Sequence, residues 1–221
     1  MLSPQTCFVL VDDDNNNTEE EKHEKVVGYV IGTPDVHAFA SAYPRYIKEV
    51  LQSPQGLVDV PPPKQLDTLE DFLIPSSPTA TETGSESEEK KKEEFKVNTV
   101  CLAQHAYNPN WLVLEGPSDR ALRAAVQRKK EMVDTWRAML HIDLLEGYQG
   151  KGWGTKMIER FVEGVRESVL TDSGGKLDCG RGVYLGASLE NSKVVKFYEK
   201  VGFKVFEGGE AEGSIWMVRD I

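Results

Sequence analysis

The sequence contains no run approaching the roughly 18 consecutive apolar residues that a membrane helix needs, so nothing in it reads as a span. Its first residues, Met1-Leu2-Ser3-Pro4-Gln5, lack the basic-then-apolar pattern of a secretory signal. Cysteine is scarce: Cys7, Cys101 and Cys179 are odd in number and far apart. That excludes a disulfide framework and the close spacing of a zinc site, and no metal is expected. Reduced thiols fit a cytoplasmic or nuclear setting. Basic residues are outnumbered, with 26 Lys and Arg against 36 Asp and Glu and a formal charge of -10. A broad nucleic-acid surface, which needs clustered Lys and Arg, is therefore not expected. The excess of acid suits a cationic or amine partner.

Two apolar, β-prone runs open the chain, residues 7–11 and 26–31, with a polar connection between them. A helix is expected over residues 36–51, broken near Pro44. Residues 53–96 read as an acidic insertion without stable structure. They hold Pro61-Pro62-Pro63, Pro75-Ser76-Ser77-Pro78 and a Glu/Lys tract, and almost no aromatics to offset the entropy of ordering. The insertion interrupts a single domain spanning residues 1–221. A helix over 120–136, a strand over 138–145 and an amphipathic helix over 155–169 follow. A strand over 183–187, a helix ending near Lys200 and a terminal hairpin through Gly208-Gly209 complete the pattern.

The segment Gln149-Gly150-Lys151-Gly152-Trp153-Gly154 lies between the 138–145 strand and the helix that begins at Thr155. A helix N-terminus presents unpaired N–H groups and partial positive charge. Glycines let a phosphate approach those groups closely, and Lys151 adds charge at the rim. The spacing fits neither the Gly-x4-Gly-Lys-Ser/Thr of a Walker loop nor the Gly-x-Gly-x-x-Gly of a dinucleotide fold. A structural turn remains an alternative at this level.

Downstream stands Asn191-Ser192-Lys193-Val194-Val195-Lys196-Phe197-Tyr198-Glu199-Lys200-Val201-Gly202-Phe203. Together with the glycine segment it resembles the GNAT N-acetyltransferases, whose fourth strand and third helix flank a CoA-pyrophosphate loop. Val194 stands where that family usually has a small residue. The segments around Thr6-Cys7-Phe8, Gly28-Tyr29-Val30-Ile31-Gly32-Thr33 and Leu140-His141-Ile142-Asp143 resemble more closely the acetyltransferase-like domain of the O-GlcNAc hydrolases and its free-standing microbial relatives. The resemblance implies a mixed α/β fold with a mostly antiparallel twisted sheet and splayed parallel fourth and fifth strands. The family's usual first strand and first two helices, which line the acceptor side, have no counterpart. Either the sequence is a truncated product or the acceptor site is built differently.

The resemblance further implies acetyl-CoA as co-substrate and transfer of its acetyl group to a primary amine, small or on a protein lysine. Backbone groups at Ile142 and Leu144 would meet the pantetheine arm, and residues Gln149 to Thr155 the pyrophosphate. Asn191 and Phe197 lie at or on the following helix, where Asn191 either meets the pantetheine or caps the helix. Tyr198 matches the family's general acid for the leaving thiolate. The base is open between Asp143 and His141, which share one face of their strand while Ile142 and Leu144 share the other. The competing expectation is a non-catalytic acetyl-CoA-binding or interaction module.

Overall fold

The computed structural model describes residues 3–13, 24–76, 95–114, 123–188, 192–208 and 214–221. The first apolar run behaves as a strand with a two-residue period. Phe8 and Leu10 pack into the main core, while Val9 between them is 60% exposed. β1 (Phe8–Asp13) pairs antiparallel with β2 (Glu24–Thr33), and β2 pairs antiparallel with β5 (Ala138–Leu144). The second pairing is close: a Cβ on Gly32 would lie 2.0 Å from the Met139 carbonyl oxygen. β6 (Gly182–Ser188) runs parallel to β5, and β8 (Ser214–Asp220) lies antiparallel along the whole of β6. The short β7 (Lys204–Val205) closes that edge, giving the order β1-β2-β5-β6-β8-β7.

Helices cover both faces. α5 (Trp153–Thr171) and α6 (Ser192–Lys200) bury Ile158, Phe161, Val165 and Tyr198 against Val30, Leu140 and Leu185. α1 (Val36–Tyr46) and α4 (Arg123–Thr135) cover the opposite face, where Val36, Met132, Val133 and Trp136 pack on Tyr184 and Val218. Tyr184 is fully buried, and its hydroxyl donates to the Val113 carbonyl at 2.8 Å. The helices of this second face thus come from between β2 and β5. Among the described residues no helix is long and apolar enough to cross a membrane.

Two expectations need correction. Pro44 does not break its helix. α1 runs through it to Tyr46, and the change of winding comes after it, as a π-helical turn over Ile47–Leu51. The span 53–96 is also structured at both ends. α2 (Pro54–Asp59) starts with the Ser53 hydroxyl accepting from the Gly56 N–H and with proline at the first helical position. β3 (Leu73–Pro75) pairs with β4 (Phe95–Val97), which leads into α3 (Thr99–Tyr107). The ordering force here is polar. The buried Gln104 side chain accepts the Glu70 N–H and donates to the Gln65 and Thr68 carbonyls. Asn98 donates to Glu70 and to the Asp71 carbonyl. Residues 77–94 lie outside the described residues.

The parallel pair is joined at one end only, through Ala138↔Val183 and Met139↔Tyr184. Asp35, only 1% exposed, fixes that end. Its carboxylate caps α1 by accepting the His37 and Ala38 N–H groups, and it also accepts the Asp178 N–H. Arg137, at the entry to β5, donates to both Asp35 oxygens at 3.0–3.1 Å and reaches Asp178 at 2.7 Å. Removing one partner of such a pair leaves the other charge buried and uncompensated. Arg137→Met is therefore expected to lose about 3 kcal/mol of stability, measured by urea unfolding. A midpoint equal to that of the parent would show the pair to be dispensable.

Candidate active site

Beyond Met139 and Tyr184, β5 and β6 no longer pair, and the gap between them is a fork. The ladder to β2 fixes which backbone groups look into it. The Leu145 N–H donates to the Val27 carbonyl, and bonded pairs alternate along an antiparallel ladder. Leu145, Asp143 and His141 thus turn their backbone groups to β2, while Leu144 and Ile142 turn theirs to the fork. Side chains hold both backbone groups of Leu144. Its N–H donates to the Asp143 carboxylate at 2.8 Å, and its carbonyl accepts from the Gln149 side-chain amide at 2.8 Å. These are the positions expected to meet an extended, amide-bearing arm.

The glycine segment lies at the open end of the fork. α5 starts at Trp153, two residues earlier than the sequence suggested, so Trp153 and Gly154 belong to its first turn. Gly152 is the N-cap with φ +82°, and Gly150 has φ +71°, both left-handed values that glycine alone adopts freely. Among the described residues a Cβ placed on either would meet nothing within 4 Å, so the loop faces open space there. Among the described residues no side chain caps α5, and no acidic residue lies in its first turn. Two ammonium groups stand at the rim, Lys151 over the Tyr148 ring at 5.5 Å and Lys156 over the Trp153 ring at 4.5 Å. Thr155 is exposed beside them. The open space at the loop, the first-turn N–H groups and the positive rim fit a phosphate-bearing ligand.

α6 closes the other side. A Cβ on Gly154 would lie 2.9 Å from the Phe197 ring, so glycine there lets α6 pack against the first turn of α5. Tyr198 sits between Phe197 and Phe203, with ring centroids 5.2 and 5.8 Å away. Burial raises its pKa above the ordinary tyrosine value, and the charge on Asp143 raises it further. Tyr198 belongs to the α5/α6 face and Asp143 to the opposite one, so the two sense each other across the fork. Asn191 lies outside the described residues.

His141 and Asp143 are exposed on the face that α1 and α4 leave uncovered. A residue the sequence reading missed joins them. The Tyr29 hydroxyl lies 3.3 Å from His141 Nε2, with the two rings 5.8 Å apart. Tyr29 stands directly opposite Asp143 in the β2–β5 register. The pairing of β2 with β5 spans more than a hundred residues, so nothing local marked Tyr29 as part of the site. A cleft of about 190 Å³ opens here, lined by Val26, Val27, Gly28, Tyr29, Asp143 and the following two leucines.

No family model matches the sequence, and no curated protein matches it. Solved structures do. The crystal structure of SsHAT aligns with 99% of this chain and 74% of its own, at 22% identity and a TM-score of 0.58. That of nourseothricin acetyltransferase aligns with 39% of this chain and 51% of its own, at 17% identity and a TM-score of 0.30, too low to carry an argument. The likeness to SsHAT is one of fold. The chain has the mixed α/β GNAT fold, with a mostly antiparallel sheet and one splayed parallel pair.

The raised pKa of Tyr198 has an optical consequence. Exposed tyrosines ionise near pH 10 (about 10 for the free side chain), so the difference at 295 nm between the parent and Tyr198→Phe should be flat through that range. It should rise only at more alkaline pH. A difference centred at or below about pH 10 would mean that Tyr198 is neither buried nor near Asp143.

Proposed function

We propose that this chain is an acetyl-CoA-dependent N-acetyltransferase whose acceptor is a primary amine, either a small molecule or a protein lysine. The observation that carries the reading is the open glycine loop at the uncapped start of α5, set at the mouth of the β5/β6 fork. The open space over Gly150 and Gly152 would leave room for a pyrophosphate.

Bound there, acetyl-CoA would supply a thioester as acyl donor. The chain's residues divide the remaining work. The first-turn N–H groups of α5, with Lys151 and Lys156, hold the pyrophosphate. The fork-facing groups of Ile142 and Leu144 pair with the amides of the pantetheine arm, and the arm takes over the bonds that Asp143 and Gln149 make to Leu144. Asp143 carries a negative charge to the cleft that the ammonium of the acceptor would enter. Tyr198, kept protonated by burial, donates its proton to the departing sulfur, whose conjugate thiol has a reference pKa of about 8.5. The aliphatic lining at Val26, Val27 and Leu145 suits the methylene stem of an alkyl amine.

Calorimetry with acetyl-CoA and a thiol-release assay over an amine panel test this. Tyr198→Phe should lower kcat by about a hundredfold and leave acetyl-CoA affinity unchanged. Gly152→Ala would put a Cβ on a left-handed residue, at about 1–2 kcal/mol, and should weaken acetyl-CoA binding by about tenfold. No heat of binding would sink the reading. Binding without turnover on any amine would favour a non-catalytic acetyl-CoA-binding module.

A further inference from the structure

We infer that Tyr29 and His141 act together as the proton-accepting unit of this site, with the Tyr29 hydroxyl relaying the acceptor's proton to the imidazole; the inference rests on the amine-acetylation reading above. Three observations place the pair. Tyr29 and Asp143 both line the cleft, whereas His141 does not. An ammonium drawn to Asp143 therefore meets the phenol before the imidazole. The Tyr29 hydroxyl lies 3.3 Å from His141 Nε2, a connection across the two strands from the cleft wall to a group that can store a proton. The ladder fixes the arrangement, because Tyr29↔Asp143 and Ile31↔His141 are neighbouring pairs of one register. A phenol placed directly across from Asp143 then reaches diagonally to His141, a separation that long side chains span.

The proton balance closes within these groups. In the tautomer with Nδ1–H, the imidazole accepts at Nε2 from the phenol. One N–H bond of the acceptor ammonium breaks as its proton passes to the Tyr29 oxygen. The O–H bond of Tyr29 breaks as its own proton passes to Nε2. The phenol ends as it began, the imidazole ends as imidazolium, and the amine nitrogen holds a free lone pair. Imidazole suits this duty near neutral pH. Asp143, two residues along the same face, stabilises the resulting cation.

Two measurements on the full chain test the relay. The first needs no activity: ¹⁵N-detected NMR of His141 should show Nε2 as the accepting nitrogen, and Tyr29→Phe should shift that resonance. An unchanged resonance would overturn the pairing. The second is kcat/KM for an alkyl amine. Tyr29→Phe and His141→Gln should each lose about a hundredfold, and the double variant should lose no more than either, because the two act as a unit. Losses that multiply, or full activity in Tyr29→Phe, would overturn the relay while leaving the transferase reading intact. Acetyl-CoA affinity should be the same in all three variants. A parent chain that binds no acetyl-CoA would overturn the transferase reading itself, and the relay with it.

Discussion

Asp35 is a buried carboxylate that accepts hydrogen bonds from three separate stretches of chain: the start of α1, the entry to β5 and the loop before β6. Backbone bonds around it repeat the same joins, from Val36 to the Arg137 carbonyl and from Arg137 to that of Cys179. A parallel pair bonded at two positions needs such a lock, since two ladder contacts do not hold strands in register. With one end pinned, β5 and β6 can diverge toward the other without losing their relation. The fork, the loop beyond it and the placement of α6 all inherit this geometry.

The packing of the two faces follows the same division. Near the pinned end both faces are covered and the core is dense, with Tyr184, Phe161 and Met217 fully buried. Toward the open end α5 and α6 continue to cover one face, while α1 and α4 stop short on the other. That leaves Tyr29, His141 and Asp143 at the surface and sets Tyr198 on the far side of the fork. Solvent can reach one face of the site, and a buried phenol lines the other, which separates a charged group from a neutral one over a short distance.

Much of this was legible in the sequence, and for local reasons. The glycine segment, the strand before it and the helix after it are contiguous, and their spacing is a direct record of their geometry. Phe197 and Tyr198 lie on a nine-residue helix whose periodicity is plain. What could not be read depended on distant pairing or on polar clamps. Tyr29 acquires its neighbours only when β2 lies against β5. The 53–76 stretch looked unstructured because it is rich in proline and has almost no aromatics, yet Gln104, from far along the chain, binds three of its backbone groups. A composition argument weighs burial and has no view of such bonds. The winding after Pro44 was missed because a proline's cost falls on the turn before it, whereas the π-helical turn comes after it.

The two side chains that hold Leu144 give the fork a form of memory. An incoming amide that took the Leu144 N–H and carbonyl would replace one acceptor and one donor with their equivalents, leaving the number of hydrogen bonds in the gap unchanged. What would change is the freedom of Asp143, whose carboxylate otherwise accepts the Leu144 N–H. On the proposed acetyl-transfer reading, filling one half of the site would ready the charge in the other half. The backbone of a single residue would then set a sequence of arrival, donor first and amine second, without any hinge or lid.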